Sequence, residues 1–274
     1  MKKRVLLVTA IITIMALVFT GCSSAKQTAT TKEPAGEVNQ ENLLEKIKTE
    51  GVIKIGTEGT YAPYTFHDKD GKLTGFDVEI AEEVAKRLGV KVEFIETKWD
   101  GMFAGLDAKR FDAVANQVTI RPDRLEKYDF SDSYVSSRSV LIVHEENNEI
   151  KSFEDLKGKK SGQSLTSNLA DIARSFEAEL VQVDGFNQAL DLLNSKRIDA
   201  TINDNLSFLD YKKQKPDAPI KVVDKMDETG ESGILFNKGN GELVEAVNTA
   251  LADMKADGTY LKISEKWFGE DVSK

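Results

Sequence analysis

The sequence is short of the residues that most often carry catalysis or bind metal. It has one cysteine, Cys22, and two histidines, His67 and His144, which stand far apart. With its single thiol near the N-terminus, the chain has no pair from which to form an internal disulfide. A histidine-based zinc site or a Ser-His-Asp arrangement finds no support in that spacing. No glycine-rich phosphate loop of the P-loop type occurs. Asp68-Lys-Asp-Gly71 opens like a calcium loop, but the later acidic ligands and the terminal Glu are missing, so it reads as a turn. No metal, cofactor or catalytic residue is therefore expected. Positive charge is also in the minority, with 37 Lys and Arg against 46 Asp and Glu and a formal charge of −9. That balance argues against nucleic acid or an anionic lipid surface as the main partner.

Long apolar runs are absent except one. Met1-Lys-Lys-Arg4 precedes an uncharged stretch from Val5 to Thr20, then Gly21, Cys22, Ser23 and Ser24. A basic start, an apolar middle and small residues at the end make a secretory signal. The run is shorter than the roughly 20 residues that span a bilayer comfortably. The cysteine at its end looks like a bacterial lipobox, with Phe19 where Leu is usual. This implies cleavage before Cys22, a lipidated thiol and an extracytoplasmic protein anchored to the membrane. Residues 1–21 are then the signal peptide, and losing Lys2, Lys3 and Arg4 deepens the charge to −12. Residues 22–41, rich in Ser, Thr, Ala, Lys and Glu, form a flexible tether.

The body is patterned as α/β. Val52-Ile-Lys-Ile55 is a buried strand. Phe76, Ile80, Val84 and Leu88 mark an apolar helical stripe ended by Gly89, and Val90, Val92 and Phe94 alternate as a strand. Such alternation predicts βαβ units and a mainly parallel sheet. A unit also repeats: Leu106-Asp-Ala-Lys-Arg-Phe-Asp-Ala-Val-Ala-Asn116 matches Leu193-Asn-Ser-Lys-Arg-Ile-Asp-Ala-Thr-Ile-Asn203, offset by 87. This suggests two related lobes with Asn116 and Asn203 at strand ends facing a shared cleft. Lobe 1 would comprise residues 42–138 and 232–274, lobe 2 residues 139–231, with the chain crossing twice at a hinge.

Among candidate ligand contacts, Arg124 follows Pro122 in what reads as a first helical turn, near Thr119. A guanidinium grips a carboxylate with two parallel hydrogen bonds; a surface pairing with Asp123 or Glu126 is the plainer alternative. Asp204 and Glu58, each at a strand end, are candidates for an ammonium, or else helix caps. Tyr61 and Trp99 lie just beyond strands, where loops face a cleft.

From about residue 43 onward the chain resembles the solute-binding proteins of polar amino-acid ABC importers, and among them the cystine-binding members. The matching segments are Gly56-Thr-Glu-Gly-Thr-Tyr-Ala-Pro-Tyr64, Gly71-Lys-Leu-Thr-Gly-Phe-Asp77, Lys98-Trp-Asp-Gly-Met102, Asn116-Gln-Val-Thr-Ile120, Lys127-Tyr-Asp-Phe-Ser131, Asp155-Leu-Lys-Gly-Lys159 and Ser264-Glu-Lys-Trp-Phe-Gly269. The resemblance implies a two-lobed periplasmic-binding-protein-like fold that closes on an amino acid and delivers it to a permease driven by ATPase subunits. It implies that Arg124 and Thr119 bind the α-carboxylate and Asp204 the α-ammonium, with Gln117 backbone beside it. Tyr61 and Trp99 would sandwich the side chain, Glu58 would line the cleft, and Thr166, Ser167 and Asn168 would close over the carboxylate. Where Arg121-Pro122 stands relatives usually carry small hydroxylated or acidic residues, and Ser164 and Thr166 replace their glycines. Glutamine, arginine or histidine are alternative ligands, and a dehydratase of cyclic acids is the rival on the same scaffold. The protein is expected to act as a monomer.

Overall fold

The computed structural model describes residues 42–274; the expected signal peptide, lipidated Cys22 and tether lie outside them. In the first half of the chain the helices are α1 (Leu43–Glu50), α2 (Phe76–Arg87), α3 (Trp99–Asp107) and the short α4 (Pro122–Leu125). The strands there are β1 (Val52–Thr57), β2 (Thr60–Tyr61), β3 (Thr65–His67), β4 (Leu73–Thr74), β5 (Lys91–Glu96), β6 (Ala113–Thr119), β7 (Tyr128–Phe130) and β8 (Val135–Ser137). The second half adds strands β9 (Ser139–His144), β10 (Lys160–Gln163), β11 (Glu179–Gln182), β12 (Ala200–Asp204), β13 (Ile220–Lys225) and β14 (Gly230–Asn237). Its helices are α5 (Asn168–Ser175), α6 (Phe186–Asn194), α7 (Asn205–Gln214), α8 (Gly241–Ala256) and α9 (Thr259–Phe268).

Among the described residues two large sheets each form the centre of one α/β lobe. The first runs β5-β1-β6-β14-β7, with β8 also on β14; the second runs β11-β10-β12-β9-β13. A small sheet, β2-β3-β4, sits between the end of β1 and the start of α2. In each large sheet the strands joined through helices are parallel, as the sequence pattern predicts. The pairings of β14 and β9, however, are antiparallel. The physical reason is their route: both strands enter from the other sheet, so no crossover helix forces a parallel direction. The chain passes from the first sheet to the second at Arg138 and returns through residues 226–229.

Residues of α2, α8 and α9 bury Phe76, Ile80, Val84, Val247, Leu251 and Tyr260 in one core of the first sheet. The α2 stripe is the one its spacing predicts, and Gly89 beyond its end takes φ +77°. A second core joins Met102 and Leu106 of α3 to Phe111, Val114 and Leu235. In the second sheet β12 is buried along its whole length, as a strand with both faces covered must be.

The repeat seen in the sequence is one connection built twice. Lys109 and Lys196, 87 positions apart, have φ of 56° and 55°. Asp112 accepts from Lys54 N–H and Asp199 from Lys160 N–H, both at 2.8 Å. Each Asp thereby ties the entry of its strand to a neighbouring strand. Among the described residues no helix is long and apolar enough to cross a membrane.

Candidate functional site

The carboxyl ends of β1, β6, β10 and β12 converge on a crevice between the lobes, where a doubly wound sheet places its ligands. One part is walled by Glu58, Tyr61, Trp99 and Gln117 from the first lobe and by Ser167 and Asn168 from the second. An adjoining part is walled by Gln117, Thr119, Asn168 and Asp204. Eight of the ten expected contacts thus meet in one of the two parts, and Gln117 and Asn168 belong to both. Thr166 and Arg124 are elsewhere, in places that say something about each, and Thr119 connects Arg124 to the wall.

Arg124 is buried, 6% exposed, in the short helix that Pro122 opens. Its Nη1 donates to the Thr119 carbonyl at 2.9 Å. The guanidinium carbon lies 5.6 Å from the ring centre of Trp99 and 5.2 Å from that of Phe103, a contact worth more as water is excluded. Neither Asp123 nor Glu126 pairs with it; Asp123 pairs with Arg121 instead. Burial, and then repulsion from Arg121, lower its pKa to about 10, so the group stays charged at neutral pH. A buried cation without an ion-pair partner among the described residues is costly unless an anion completes it.

Asp204 is both a helix cap and a site carboxylate, two roles the sequence offered as alternatives. Oδ1 accepts from Leu206 and Ser207 N–H at the start of α7 and from the Tyr64 hydroxyl at 2.8 Å. Oδ2 accepts from Gln117 Nε2 at 2.8 Å. Burial raises its pKa, and the donors around it act the other way. Gln117 Nε2 also reaches Ser137 Oγ at 3.0 Å. The Tyr61 hydroxyl lies 3.0 Å from Asn203 Oδ1 and 3.3 Å from Gln117 Oε1. The two repeated asparagines therefore do face one crevice, and Tyr61 spans it. Glu58 accepts from Asn116 Nδ2 at 2.7 Å, yet burial pushes its pKa up to about 7.

Thr166 stands at the rim. Its N–H and hydroxyl donate to Asp100 Oδ1 at 3.1 and 2.8 Å, tying the second lobe to the start of α3. Ser167 caps α5 through Ala170 N–H, and Asn168 is that helix's first residue. Two more rim contacts cross the crevice: Lys98–Asp184 at 2.7 Å and Arg121–Asp171 at 2.8 Å. The lobes are closed on each other. Phe103, Asp100, Ser137 and Asp77 were missed from the sequence. Asp77 did fall in a matched segment, but as an acid in the first turn of α2 it gives no sign of being wholly buried.

Two α/β lobes closed over a polar crevice, with an uncompensated guanidinium against one wall and a capped carboxylate on the other, define a two-lobed binding protein for a small dipolar solute. The chain belongs to the bacterial extracellular solute-binding proteins, family 3, whose model matches residues 53–270. It is 50% identical over 275 aligned positions to the L-cystine-binding protein TcyA of Bacillus subtilis (strain 168), covering all of both chains. Its structure resembles an ancestral arginine-binding protein bound to arginine, with a TM-score of 0.75 at 42% identity, covering 80% of this chain and 98% of that one. It also resembles the L-cystine solute receptor of Neisseria gonorrhoeae in the unliganded open conformation, at 52% identity over 85% of this chain and 99% of that one, with a TM-score of only 0.57. Higher identity with poorer superposition is what rotation between open and closed lobes produces.

Proposed function

We propose that this chain is the extracytoplasmic binding component of an amino-acid ABC importer, that its ligand is L-cystine, and that it delivers the ligand to the permease by opening and closing its lobes. The observation that carries this reading is Arg124: a buried cation with no carboxylate partner, fixed beside the crevice that holds Asp204. In this reading Arg124 and Thr119 take the α-carboxylate. Asp204 and the Gln117 backbone take the α-ammonium. Tyr61 and Trp99 flank the side chain, Glu58 lines its far end, and Thr166, Ser167 and Asn168 close from the second lobe.

Lobe 1 comprises residues 42–138 and 232–274 and lobe 2 residues 139–231, with the two connecting segments as hinge. Ligand drives closure only through contacts that exist in the closed state alone. The pairing of Arg124 from one lobe and Asp204 from the other with one zwitterion is such a contact. Cys22 carries the lipid and residues 22–41 the tether, which keeps the monomeric body near its permease and raises effective concentration there. The chain binds and releases its ligand chemically unchanged.

Isothermal titration of the purified protein with L-cystine, L-arginine, L-glutamine and L-histidine tests the ligand. L-cystine should bind tightest; tighter binding of another would reassign the specificity within the same site. Recovery of the ligand intact after prolonged incubation separates a binder from a dehydratase.

A further inference from the structure

Gln117 adopts φ +49°, the left-handed region that glycine enters freely and other residues enter at a cost. Its restraint comes from below. The Gln117 N–H donates to Asp77 Oδ2 at 2.5 Å. Asp77 is fully buried, and its other oxygen has no hydrogen-bond partner among the described residues, nor has the neighbouring buried Tyr134 hydroxyl. An acid in the first turn of α2 would serve the helix dipole from the surface, so capping gives no reason for this depth. Gly75 provides the approach: at φ +134°, with the site of a Cβ only 2.2 Å from the Tyr64 carbonyl, it lets α2 start tight against the residues that lead into β3.

We propose that Asp77 is a positioning residue of the binding site: it holds residue 117 left-handed from beneath, and so aims the Gln117 carboxamide across the crevice at Asp204. The inference rests on the reading that Gln117 and Asp204 belong to the amino-acid site. From this backbone Gln117 reaches Asp204 and Ser137 with one nitrogen and meets Tyr61 with its oxygen. A right-handed or extended backbone at 117 would swing the side chain away from all three. Burial pushes the Asp77 pKa up to about 7, with the Gln117 N–H opposing that rise and Asp204 adding to it. The hydroxyls of Tyr61, Tyr64 and Tyr260 also feel its charge. The carboxylate accepts more strongly than the acid, so its grip on Gln117 should tighten through neutral pH.

The test is made first without ligand, by NMR of the Gln117 backbone and side-chain amides. In the wild type the backbone amide proton should lie downfield and move with pH near 7, and the side-chain amide should exchange slowly. Asp77→Ala should abolish both signatures. Asp77→Asn, which keeps an acceptor and covers the case where alanine does not fold, should keep the slow side-chain exchange and lose the pH dependence. Unchanged Gln117 amides in the variant that folds would overturn the proposal. L-cystine affinity then supplies a cycle. Asp77→Ala should weaken binding about tenfold, and by less than about twofold once Gln117→Gly is present. Equal losses in both backgrounds would make Asp77 merely structural and overturn the proposal. If the wild type binds no L-cystine, the functional reading fails, while the amide signatures still decide the role of Asp77.

Discussion

Arg124 concentrates the molecule's electrostatic cost at one atom group. Its guanidinium rests between two aromatic rings and a backbone carbonyl, with no carboxylate to neutralise it. Removing it should cost ligand binding about 3–5 kcal/mol, which is roughly two to three and a half decades in Kd. Arg124→Ala measured by calorimetry checks this; affinity within a few-fold of wild type would remove the residue from the site. Arg124→Lys should recover little, because an ammonium cannot offer the same paired donors.

Two buried acids make a second residue-level prediction. Glu58 and Asp77 both have pKa values raised to about 7 by burial. Their protons are held in the folded state above the pH at which the unfolded chain loses them. The stability they contribute is complete below about pH 4 and lost as pH rises to about 7. The thermal stability of the ligand-free protein should therefore fall over that window from these two groups. Glu58→Gln should flatten the slope and raise Tm at pH 8, at about 2–4 °C per kcal/mol gained. Parallel curves for variant and wild type would count against the assignment.

At the scale of elements, Lys109 and Lys196 close the same helix-to-strand turn in the left-handed region. Replacing Lys196 with glycine should relieve that conformation and stabilise the protein by about 0.5–1 kcal/mol, seen as a higher urea midpoint with an unchanged m-value. Ser167→Ala should remove the α5 cap and cost about 1 kcal/mol. The elements themselves were legible because each has its own periodicity: the α2 stripe, the β1 apolar run and the doubled Leu-x-x-Lys-Arg turn are local patterns. The antiparallel pairings of β14 and β9 were not, since strand direction depends on which sheet the chain has just left. The site divides the same way. Arg124, Asp204 and Tyr61 stand in recognisable segments. Phe103 under the guanidinium and Asp77 under Gln117 act through depth, and an exposed Asp and a buried one are written with the same letter.

For the whole molecule, closure is held at the rim by partly exposed polar pairs and at the centre by buried ones. Lys98–Asp184 and Arg121–Asp171 remain in contact with solvent, so each should contribute at most about 1 kcal/mol and weaken with salt. Arg121→Ala should accordingly shift L-cystine affinity by less than about fivefold, while small-angle scattering of the ligand-free variant shows a larger radius of gyration than wild type. A loss as large as that of Arg124→Ala would move Arg121 from the rim into the site.

The strand order of the first sheet has its own implication for how the chain matures. Strand β14 lies between β6 and β7, yet it is more than ninety residues downstream of both. A polypeptide emerging from its N-terminus completes every strand of the second sheet before that middle position can be filled. The earlier-made sheet must wait, with the flanks of β6 and β7 unpaired and apt to pair with other chains. Pulse-labelled nascent chains should thus gain protease resistance in the inserted lobe first, and in the enclosing lobe only after residue 237 has appeared.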